Sequence, residues 1–218
     1  MEAEYVHKTY ETISDEFNKT RHSPWPSVID FINSLYPHSI VLDAGCGNGK
    51  NMQIRNDLKF VGCDTSDSLL KICKDKGLNV LNANIKELPF PDNHFDAIIC
   101  IAVLHHIYEE KDRLLALNEL LRVLKPGKRL MFQVWAREQT LTKKFSKVTN
   151  SNTNDYFVSW QKKDNELTKV ADAVEVKRYY HLFSELEIKV LLAQLYGVTV
   201  IKKEYEKDNW IIVLEKKS

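Results

Sequence analysis

The segment Val41–Gly49 reads VLDAGCGNG and gives the strongest indication of the fold. Its three glycines, at positions 45, 47 and 49, follow a short apolar strand predicted over 39–43 (SIVLD). Glycines at such a turn let the backbone pack tightly and let a ligand approach it closely. Asp43 ends this strand, and Asp64 ends the next predicted strand 21 residues later, where a doubly wound sheet places a carboxylate on ribose hydroxyls. The spacing therefore predicts a nucleoside site at the carboxyl ends of parallel strands.

Short strands and helices alternate on both sides of this turn. Strands separated by helices form right-handed βαβ units, so the pattern predicts an α/β fold with a parallel sheet and helices on both faces. The further predicted strands are 59–64, 79–83, 95–103 and 128–135, and the predicted helices are 27–36, 67–76 and 109–124, the last of which is stopped by Pro126-Gly127.

The carboxyl-terminal part follows a different pattern. A predicted helix over 185–196 precedes strands over 197–205 and 210–216, and only about four residues join those two strands. Because this connection is too short for a parallel crossover, we expect the last two strands to form an antiparallel hairpin.

The segment between 136 and 178 is polar, rich in Lys and Asn, and lacks regular periodicity. We interpret residues 137–177 as an insertion on the fold rather than as a second domain. The chain is then a single domain over 1–218, in which residues 1–26 form an N-terminal helix and a loop on the substrate side.

Composition and charge exclude some classes of function. The 218 residues are 44% hydrophobic, and a net charge of +1 excludes a protein that holds nucleic acid by bulk charge. The charge is uneven, at −2 over 1–136 and +3 over 137–218. The longest apolar run has eight residues and no signal peptide is recognisable, so we expect a cytoplasmic or nuclear protein without a membrane segment. The four cysteines form no CxxC pair, which predicts reduced thiols and no metal site.

Asp43 also bears on the type of ligand. A carboxylate before the glycine turn would repel a pyrophosphate and attract an ammonium group. This disfavours NAD and favours S-adenosylmethionine, which has an ammonium group, a ribose and no phosphate. The alternative is that Asp43 and Asp64 only cap strand ends.

Five blocks together resemble the class I S-adenosylmethionine-dependent methyltransferases. The resemblance implies a Rossmann-like seven-stranded sheet of order 3-2-1-4-5-7-6 with strand 7 antiparallel, in agreement with the predicted hairpin. It also implies that Asn84 binds the adenine amino group, although many members have Asp there, that Ile85 gives a backbone contact, and that Ile101 lies near the adenosine. The blocks are Asp43–Gly49, Asp64, Leu88–Phe90, Phe95–Ile98 and Leu121–Gly127. The implied cofactor contacts are Asp43, Gly45, Gly47, Asp64, Thr65, Asn84, Ile85 and Ile101.

Three flanking motifs narrow the resemblance further. They are RHSPWP at 21–26, WAREQ at 135–139 and RYYHLF at 178–183. Together they resemble the eukaryotic tRNA wobble-uridine carboxymethyl methyltransferases, which include a yeast-type enzyme and the methyltransferase domain of a human AlkB-like protein. Thr140–Lys177 is shorter than the insertion of many related enzymes. The resemblance implies methylation of the carboxylate of 5-carboxymethyluridine at the anticodon wobble position.

The implied nucleophile is a carboxylate that is already ionised at neutral pH, so no general base is needed and positioning should dominate. Arg21 and Arg178 are candidates for binding this carboxylate, because arginine makes planar two-point contacts. His105, His106, Trp135 and Tyr179 are candidates for stacking on or hydrogen bonding to the flipped base. The alternatives are that both histidines form the pocket wall and that the flanking motifs only pack.

Two partners follow from the resemblance, the tRNA anticodon stem-loop and a small zinc-binding activator subunit. Residues 137–163 carry a net charge of +4 with interleaved aromatics, which favours phosphate contacts, although a solvated loop is the alternative. The third strand lacks charge or proline near Val80 and Leu81, so its edge suits strand addition by the activator unless a helix or loop covers it. The basic residues of the insertion include Lys143, Lys144, Lys147, Lys162 and Lys163, and the aromatics are Tyr156, Phe157 and Trp160.

Two other functions compete with this interpretation. One is methylation of a small molecule such as a quinone or a carboxylic acid, since small-molecule enzymes share the core motifs. The other is a non-catalytic scaffold with a methyltransferase fold, which the intact Asp43, Gly45, Gly47 and Asp64 disfavour.

Overall fold

The computed structural model describes residues 1–20, 23–139, 145–148, 153–160 and 176–218. Within these ranges the strands are, in chain order, β1 (Ile40–Ala44), β2 (Lys59–Asp64), β3 (Val80–Asn82), β4 (Phe95–Ile101), β5 (Leu124–Trp135), β6 (Phe145–Lys147), β7 (Asp155–Trp160), β8 (Val176–His181), β9 (Val198–Glu206) and β10 (Asn209–Lys216). The helices are α1 (Lys8–Thr20), α2 (Pro26–Asn33), α3 (Asp67–Asp75), α4 (Glu110–Val123) and α5 (Glu185–Ala193), with a π-helical turn at Ala3–His7 and short 3₁₀ turns at Asn51–Gln53 and Leu104–His106.

Seven strands form one sheet of order β3-β2-β1-β4-β5-β10-β9. Strands β1 to β5 pair in parallel, whereas β10 lies antiparallel to both β5 and β9. This is the predicted order, because β10 is the predicted strand 7 and β9 the predicted strand 6. The predicted Rossmann-like methyltransferase sheet and the terminal hairpin are therefore confirmed.

The core lies on both faces of this sheet. Successive side chains of a strand point to opposite faces, and β1 and β4 are apolar on both. Leu42 and Ile98 pack with buried residues of α4 and α5, whereas Val41 and Ile99 pack with the apolar side of α2. Helices therefore cover both faces, as predicted.

Four element ends differ from the prediction by two residues or more: α2 ends at Asn33 instead of residue 36, α5 ends at Ala193 instead of residue 196, and the other two lie in β4 and β5. The fourth strand was predicted to reach residue 103, but it ends at Ile101 because Ala102 takes a left-handed φ of 62°. The fifth strand was predicted to begin at residue 128, but it begins at Leu124, directly after α4. The pairing of β4 with β5 shifts register between Phe95 and Ala97, and this irregularity accommodates the Pro-Gly pair.

A second, three-stranded sheet has the antiparallel order β6-β7-β8. The sequence interpretation placed an insertion over 137–177 and identified no strands in it. The strands form because their apolar side chains at alternate positions can be buried together. Val158, Tyr180 and Leu182 make a small buried cluster, against which Trp135 of the large sheet packs. We call β6, β7 and β8 the small sheet.

The strand β3 is an edge of the large sheet and pairs only with β2 within the described residues. Val80 and Leu81 are partly exposed, and Asn82 is exposed. No helix in the described part of the chain is long and apolar enough to cross a membrane.

Candidate active site

A cleft of about 970 Å³ opens at the carboxyl ends of β1, β2, β4 and β5. It lies where the strand order reverses between β1 and β4, which is where open α/β sheets bind ligands. The glycine turn and the end of β2 line one end, called here the cofactor end. The ends of β5 and β8 line the other, called the acceptor end, and α1 with the preceding turn forms a wall along both.

The glycine turn at the cofactor end requires glycine. Gly45 has φ of +76°, and a Cβ built there would lie 2.3 Å from Cγ2 of Val103. Gly47 has φ of +55° and borders the cleft. The amides of Gly45 and Cys46 both donate to the carbonyl of Cys63 on β2, at 2.8 and 2.9 Å. The turn is thus a backbone cradle, in which a side chain at Gly45 would collide with Val103.

Asp64 and Thr65 line the cofactor end, as predicted from the end of β2. The Asp64 carboxylate accepts from the amide of Gly47 through Oδ2 at 2.9 Å and from the amide of Ser66 through Oδ1 at 3.0 Å. Burial raises the pKa of Asp64, and these backbone hydrogen bonds oppose the shift. Each oxygen has a further lone pair, so the carboxylate can accept from two ribose hydroxyls.

Asp43 is not among the residues that line the cleft, and its predicted contact with the ligand stays a prediction. Its side chain is fully buried beneath the turn, and neither oxygen accepts a hydrogen bond of standard geometry from the described residues. Burial raises the pKa of Asp43 to about 7, and the amide of Asn51 opposes that shift. Asp43 is therefore a buried carboxyl group whose charge changes with pH near neutrality.

The predicted adenine side is present in the cleft. Asn84, Ile85 and Ile101 all line it, and both isoleucines are buried in the core. The Oδ1 atom of Asn84 accepts from the amide of Lys86 at 3.0 Å, which fixes the orientation of the side-chain amide. A flat apolar pocket with one oriented amide fits a purine base.

At the acceptor end, Trp135 is stacked on Tyr180 with ring centroids 4.2 Å apart and planes 13° from parallel. The backbone amide of Trp135 donates to Nδ1 of His105 at 3.1 Å. Because Nδ1 accepts, it carries no proton, and the proton of His105 lies on Nε2. Both Trp135 and His105 line the cleft, as predicted.

His106 lines the cleft too, but both ring nitrogens are already engaged by the protein. Nδ1 lies 2.8 Å from the carbonyl oxygen of Tyr179, and Nε2 lies 3.0 Å from the hydroxyl of Tyr10. Burial lowers the pKa of His106 to about 3. The ring is therefore neutral, which fits the alternative that it belongs to the pocket wall.

The sequence interpretation proposed both Arg178 and Tyr179 as substrate-binding residues, but in β8 their side chains point in opposite directions. Arg178 and Tyr180 line the cleft, whereas Tyr179 points to the opposite face and donates to Oδ1 of Asp155 at 2.6 Å. Tyr179 therefore does not face a substrate, contrary to the prediction, because neighbouring strand residues alternate. Tyr180 takes that place, and a strand interpretation of 176–181 would have identified it.

Arg178 is buried in the acceptor end with its guanidinium carbon 5.3 Å from the ring centre of Tyr180. Burial opposes its charge, but the hydroxyl groups of Tyr180 and Tyr10 raise the pKa of Arg178 above its usual value. The cation predicted for the substrate carboxylate thus lies in the same cleft as Asp64.

Several predicted contacts fall outside the described residues, namely Arg21, Lys143, Lys144, Lys162 and Lys163. Lys147 is exposed on β6, and Tyr156 and Phe157 are partly buried on β7.

The α1 wall was not predicted as part of the site. Val6, Tyr10 and Phe17 line the cleft, at spacings that repeat on one helical face. Glu2 accepts from the amide of Tyr108 at 2.8 Å, and Glu11 accepts from the amide of Ser68 at 3.2 Å. The spacing of these three residues could have identified one face of the helix. It could not have shown that this face meets the cleft, because that depends on the tertiary structure.

Comparisons with known proteins agree with this geometry. A family model described as a methyltransferase domain matches residues 42–132. The chain is 36% identical over 227 residues to a tRNA (carboxymethyluridine(34)-5-O)-methyltransferase of Schizosaccharomyces pombe, covering 99% of this chain and 97% of that protein. It is 34% identical over 260 residues to the tRNA (carboxymethyluridine(34)-5-O)-methyltransferase alkbh8 of Xenopus tropicalis, covering 99% of this chain, and 46% identical over 149 residues to the enzyme so named of Arabidopsis thaliana, covering 68% of this chain. The chain spans only 41% and 37% of those two longer relatives.

Solved structures agree on the fold. The CcbJ methyltransferase of Streptomyces caelestis superposes with a TM-score of 0.73 at 13% identity, covering 96% of this chain and 98% of that one. An S-adenosylmethionine-dependent methyltransferase of Clostridium acetobutylicum gives 0.69 at 16% identity, with 96% and 99% covered.

Proposed function

The chain belongs to the tRNA (carboxymethyluridine(34)-5-O)-methyltransferase family, and from that premise we propose that it methylates the carboxylate of 5-carboxymethyluridine at the tRNA wobble position, using S-adenosylmethionine. The observation that carries this proposal is the placement of Arg178 in the same cleft as Asp64. A nucleoside-binding carboxylate at one end and a buried guanidinium at the other suit a nucleoside cofactor and an anionic acceptor.

The chemistry needs positioning rather than proton transfer. When bound, S-adenosylmethionine supplies an electrophilic methyl group, and a substrate carboxylate with a pKa near 4 is already a nucleophile at neutral pH. The engaged, neutral His106 is consistent with a reaction that has no general base. Rate should then come from alignment of the carboxylate with the methyl group in a site that excludes water.

The residues at the cofactor end would each contact a different part of S-adenosylmethionine. Asp64 would accept from the ribose hydroxyls, and the backbone of Gly45 and Gly47 would approach the ligand closely. Asn84 would bind the adenine edge. Three further residues complete the predicted set of cofactor contacts, Thr65, Ile85 and Ile101.

At the acceptor end, Arg178 would bind the substrate carboxylate through its N–H donors. Trp135, which lines the cleft, would stack on the flipped uracil. His105 carries its proton on Nε2 and would donate to a uracil or carboxylate oxygen. Arg21 is proposed as a second cation on the strength of its motif alone.

Two macromolecular contacts belong to the same proposal. The anticodon stem-loop would meet the basic insertion, where Lys147 is exposed on the small sheet. A small zinc-binding activator would add a strand to the edge of β3 near Val80 and Leu81, which are partly exposed and pair only with β2 among the described strands.

The test is an alkali-labile methylation assay. The protein, alone and with the activator, is incubated with methyl-labelled S-adenosylmethionine and with tRNA from cells that lack the methyl ester. Mild alkali should release labelled methanol from a methyl ester and should leave C-, N- or ether-linked methyl groups in place. The proposal is wrong if tRNA takes up no label in either preparation, or if the label resists alkali.

A further inference from the structure

A second cleft, of about 690 Å³, adjoins the glycine turn where α1, α2 and the end of α3 meet it. Asn48 and Lys50 line this second cleft and also the cleft of the candidate active site, so the two lie side by side at the cofactor end. The proposed methyl transfer leaves the second cleft without a role.

The second cleft is positively charged. Lys50 and Lys76 both line it, and none of the described residues that line it is acidic. This local excess stands out in a chain whose net charge is only +1. Two ammonium groups in a recess without a carboxylate attract an anionic ligand.

Hydrogen bonds hold Lys76 and Asn18 in place within the second cleft. Nζ of Lys76 donates to the carbonyl oxygen of Asn48 at 2.8 Å and to Oδ1 of Asn18 at 3.2 Å. Both acceptors are neutral, so these contacts orient the ammonium group without cancelling its charge. Because an ammonium group has three protons, one donor of Lys76 is left for a ligand.

Asn18 supplies a further donor. Its Oδ1 atom accepts from Lys76 and also from Nδ2 of Asn48, at 3.0 Å, which fixes the orientation of the amide. The NH₂ group of Asn18 makes no hydrogen bond within the described residues and can donate to a ligand. Lys76 and Asn18 thus offer a charged donor and a neutral donor next to each other, as an oxyanion requires.

The remaining wall of the second cleft is apolar. It is formed by Pro24, Ile29 and Ile54, all of which are partly buried. A free phosphate ion would use the donors but leave this wall uncovered. A nucleotide uses both, because its phosphate group meets the donors while its sugar or base lies against the apolar side chains.

We propose that the second cleft binds one nucleotide of the tRNA other than the wobble nucleotide, through its phosphate group. This deepens the proposed function and rests on it, since it takes tRNA as the ligand. A phosphate contact carries no sequence information but fixes the position of the RNA. The small sheet, which carries the exposed Lys147, lies by the acceptor end, so the RNA would be held on both sides of the site of methyl transfer.

The test measures the Kd of fluorescently labelled full-length tRNA by anisotropy over a range of salt concentrations, with S-adenosylhomocysteine present. Lys76→Gln removes one charge, so a plot of log Kd against log salt should become shallower by about 0.7–0.9. At about 0.1 M salt this corresponds to a roughly five- to eightfold loss of affinity. Asn18→Asp keeps the oxygen that accepts from Lys76 and Asn48 but sets a negative charge beside the phosphate, so its loss should be at least as large.

Lys74→Gln is the matched control. Lys74 is an exposed lysine in the last turn of α3, and it lines neither cleft. Its substitution should leave the salt dependence unchanged, and all three variants should bind S-adenosylhomocysteine with wild-type affinity. If Lys74→Gln and Lys76→Gln change the salt dependence equally, the lysines act only through the general charge of the surface and the inference is wrong.

A further arm distinguishes tRNA from a free anion. Inorganic phosphate is titrated into the protein while the side-chain amide signals of Asn18 are followed by NMR. If phosphate shifts these signals but Lys76→Gln leaves the affinity for tRNA unchanged, the second cleft takes a free anion and the inference is wrong.

The wobble base separates this inference from the proposed function. The loss in Lys76→Gln should be the same for tRNA with 5-carboxymethyluridine and for tRNA with uridine at the wobble position, because the second cleft does not contact that base. If tRNA binds in this pattern but no methyl ester forms, the proposed function is wrong and the phosphate contact stands. If the ester forms but Lys76→Gln binds tRNA normally, the inference alone is wrong.

Discussion

The two ends of the cleft are built from different kinds of atoms. At the cofactor end the contacts are largely backbone: the glycine turn is tied to β2 by amides, and Asp64 is oriented by the amides of Gly47 and Ser66. At the acceptor end, side chains contact one another: Tyr10 of α1 is hydrogen-bonded to His106, and Trp135 of β5 is stacked on Tyr180 of β8. A backbone site depends on the path of the chain, so many sequences can build it. A side-chain site depends on each residue, which makes it the place where specificity is set.

The large sheet and the small sheet are stabilised by different kinds of contact. The large sheet is buried between apolar side chains on both faces. The small sheet is joined to the start of α5 by buried charges: Asp155 accepts from Tyr179 and His181, and the other ring nitrogen of His181 lies 3.3 Å from Oε1 of Glu187. The small sheet should therefore respond to changes of charge at Asp155, His181 and Glu187, none of which lines the cofactor end.

The largest effect should come from Gly45→Ala. The added Cβ would lie 2.3 Å from Val103 at a φ of +76°, so the turn must move and cofactor binding should be lost in calorimetry. Gly77→Ala is the matched control, since Gly77 has φ of +75° but nothing within 4 Å of its Cβ position. The control should lose only about 1–2 kcal/mol of stability from the left-handed backbone and should bind cofactor normally. If Gly45→Ala bound the cofactor normally, the interpretation of the glycine turn as a backbone cradle would be wrong.

Asp155→Asn should come next, and it should act on the small sheet alone. An amide in place of the carboxylate leaves His181 beside a donor, and breaking a buried ion pair costs about 3 kcal/mol. Thermal unfolding should report this loss, while the affinity for S-adenosylhomocysteine stays the same. Asp92→Asn is the control, because that carboxylate pairs with Arg122 at the surface, where the expected cost is below about 1 kcal/mol. Equal losses in the two variants would mean that the cluster does not hold the small sheet.

Arg178→Lys keeps the positive charge at the acceptor end but removes the planar fork. We expect a loss of about 2 kcal/mol in transition-state stabilisation, or roughly 30-fold in kcat/KM for tRNA, with no change in cofactor affinity. Arg129→Lys makes the same substitution on β5 away from the cleft, where the side chain pairs with Glu215 at the surface, and it should keep full activity. A parallel loss of cofactor affinity in Arg178→Lys would show that the two ends are not separable.

The smallest effect should be a pH dependence carried by His181. Burial and nearby Arg113 oppose its charge, but hydrogen bonds to Asp155 and Glu187 raise the pKa of His181 above its ordinary value of 6.5. Its stabilising contribution is therefore complete below pH 6.5 and is lost as the pH rises through the folded-state pKa. The difference in unfolding free energy between wild type and His181→Gln should fall between pH 6 and pH 9. A difference that stays constant, or that grows, would contradict a charged His181.

Most of the large sheet could be predicted because its strands are separate apolar runs and its glycine turn has a fixed spacing to Asp64. The small sheet could not, since β7 and β8 contain many polar residues and become strands only when Val158 and Tyr180 cover Trp135. If residues 176–181 had been predicted as a strand, the alternation of its side chains would have identified Tyr180, rather than Tyr179, as the residue that faces the cleft. The part that α1 plays in the cleft had no local signal, because α1 meets the acceptor end only in the tertiary structure. The sequence correctly placed Asp43 at the end of a strand. The direction of its side chain could not be predicted, because it depends on which neighbours bury the carboxyl group.

The wall formed by α1 has a kinetic consequence. The ring of Phe17 lies against Gly47 at the cofactor end, and Tyr10 contacts His106 at the acceptor end, so the same helix closes both. A rigid helix cannot release one end while it keeps its contacts at the other. We therefore expect departure of the spent cofactor and departure of the methylated RNA to share a single barrier, so that a substitution loosening either end accelerates the exchange of both ligands.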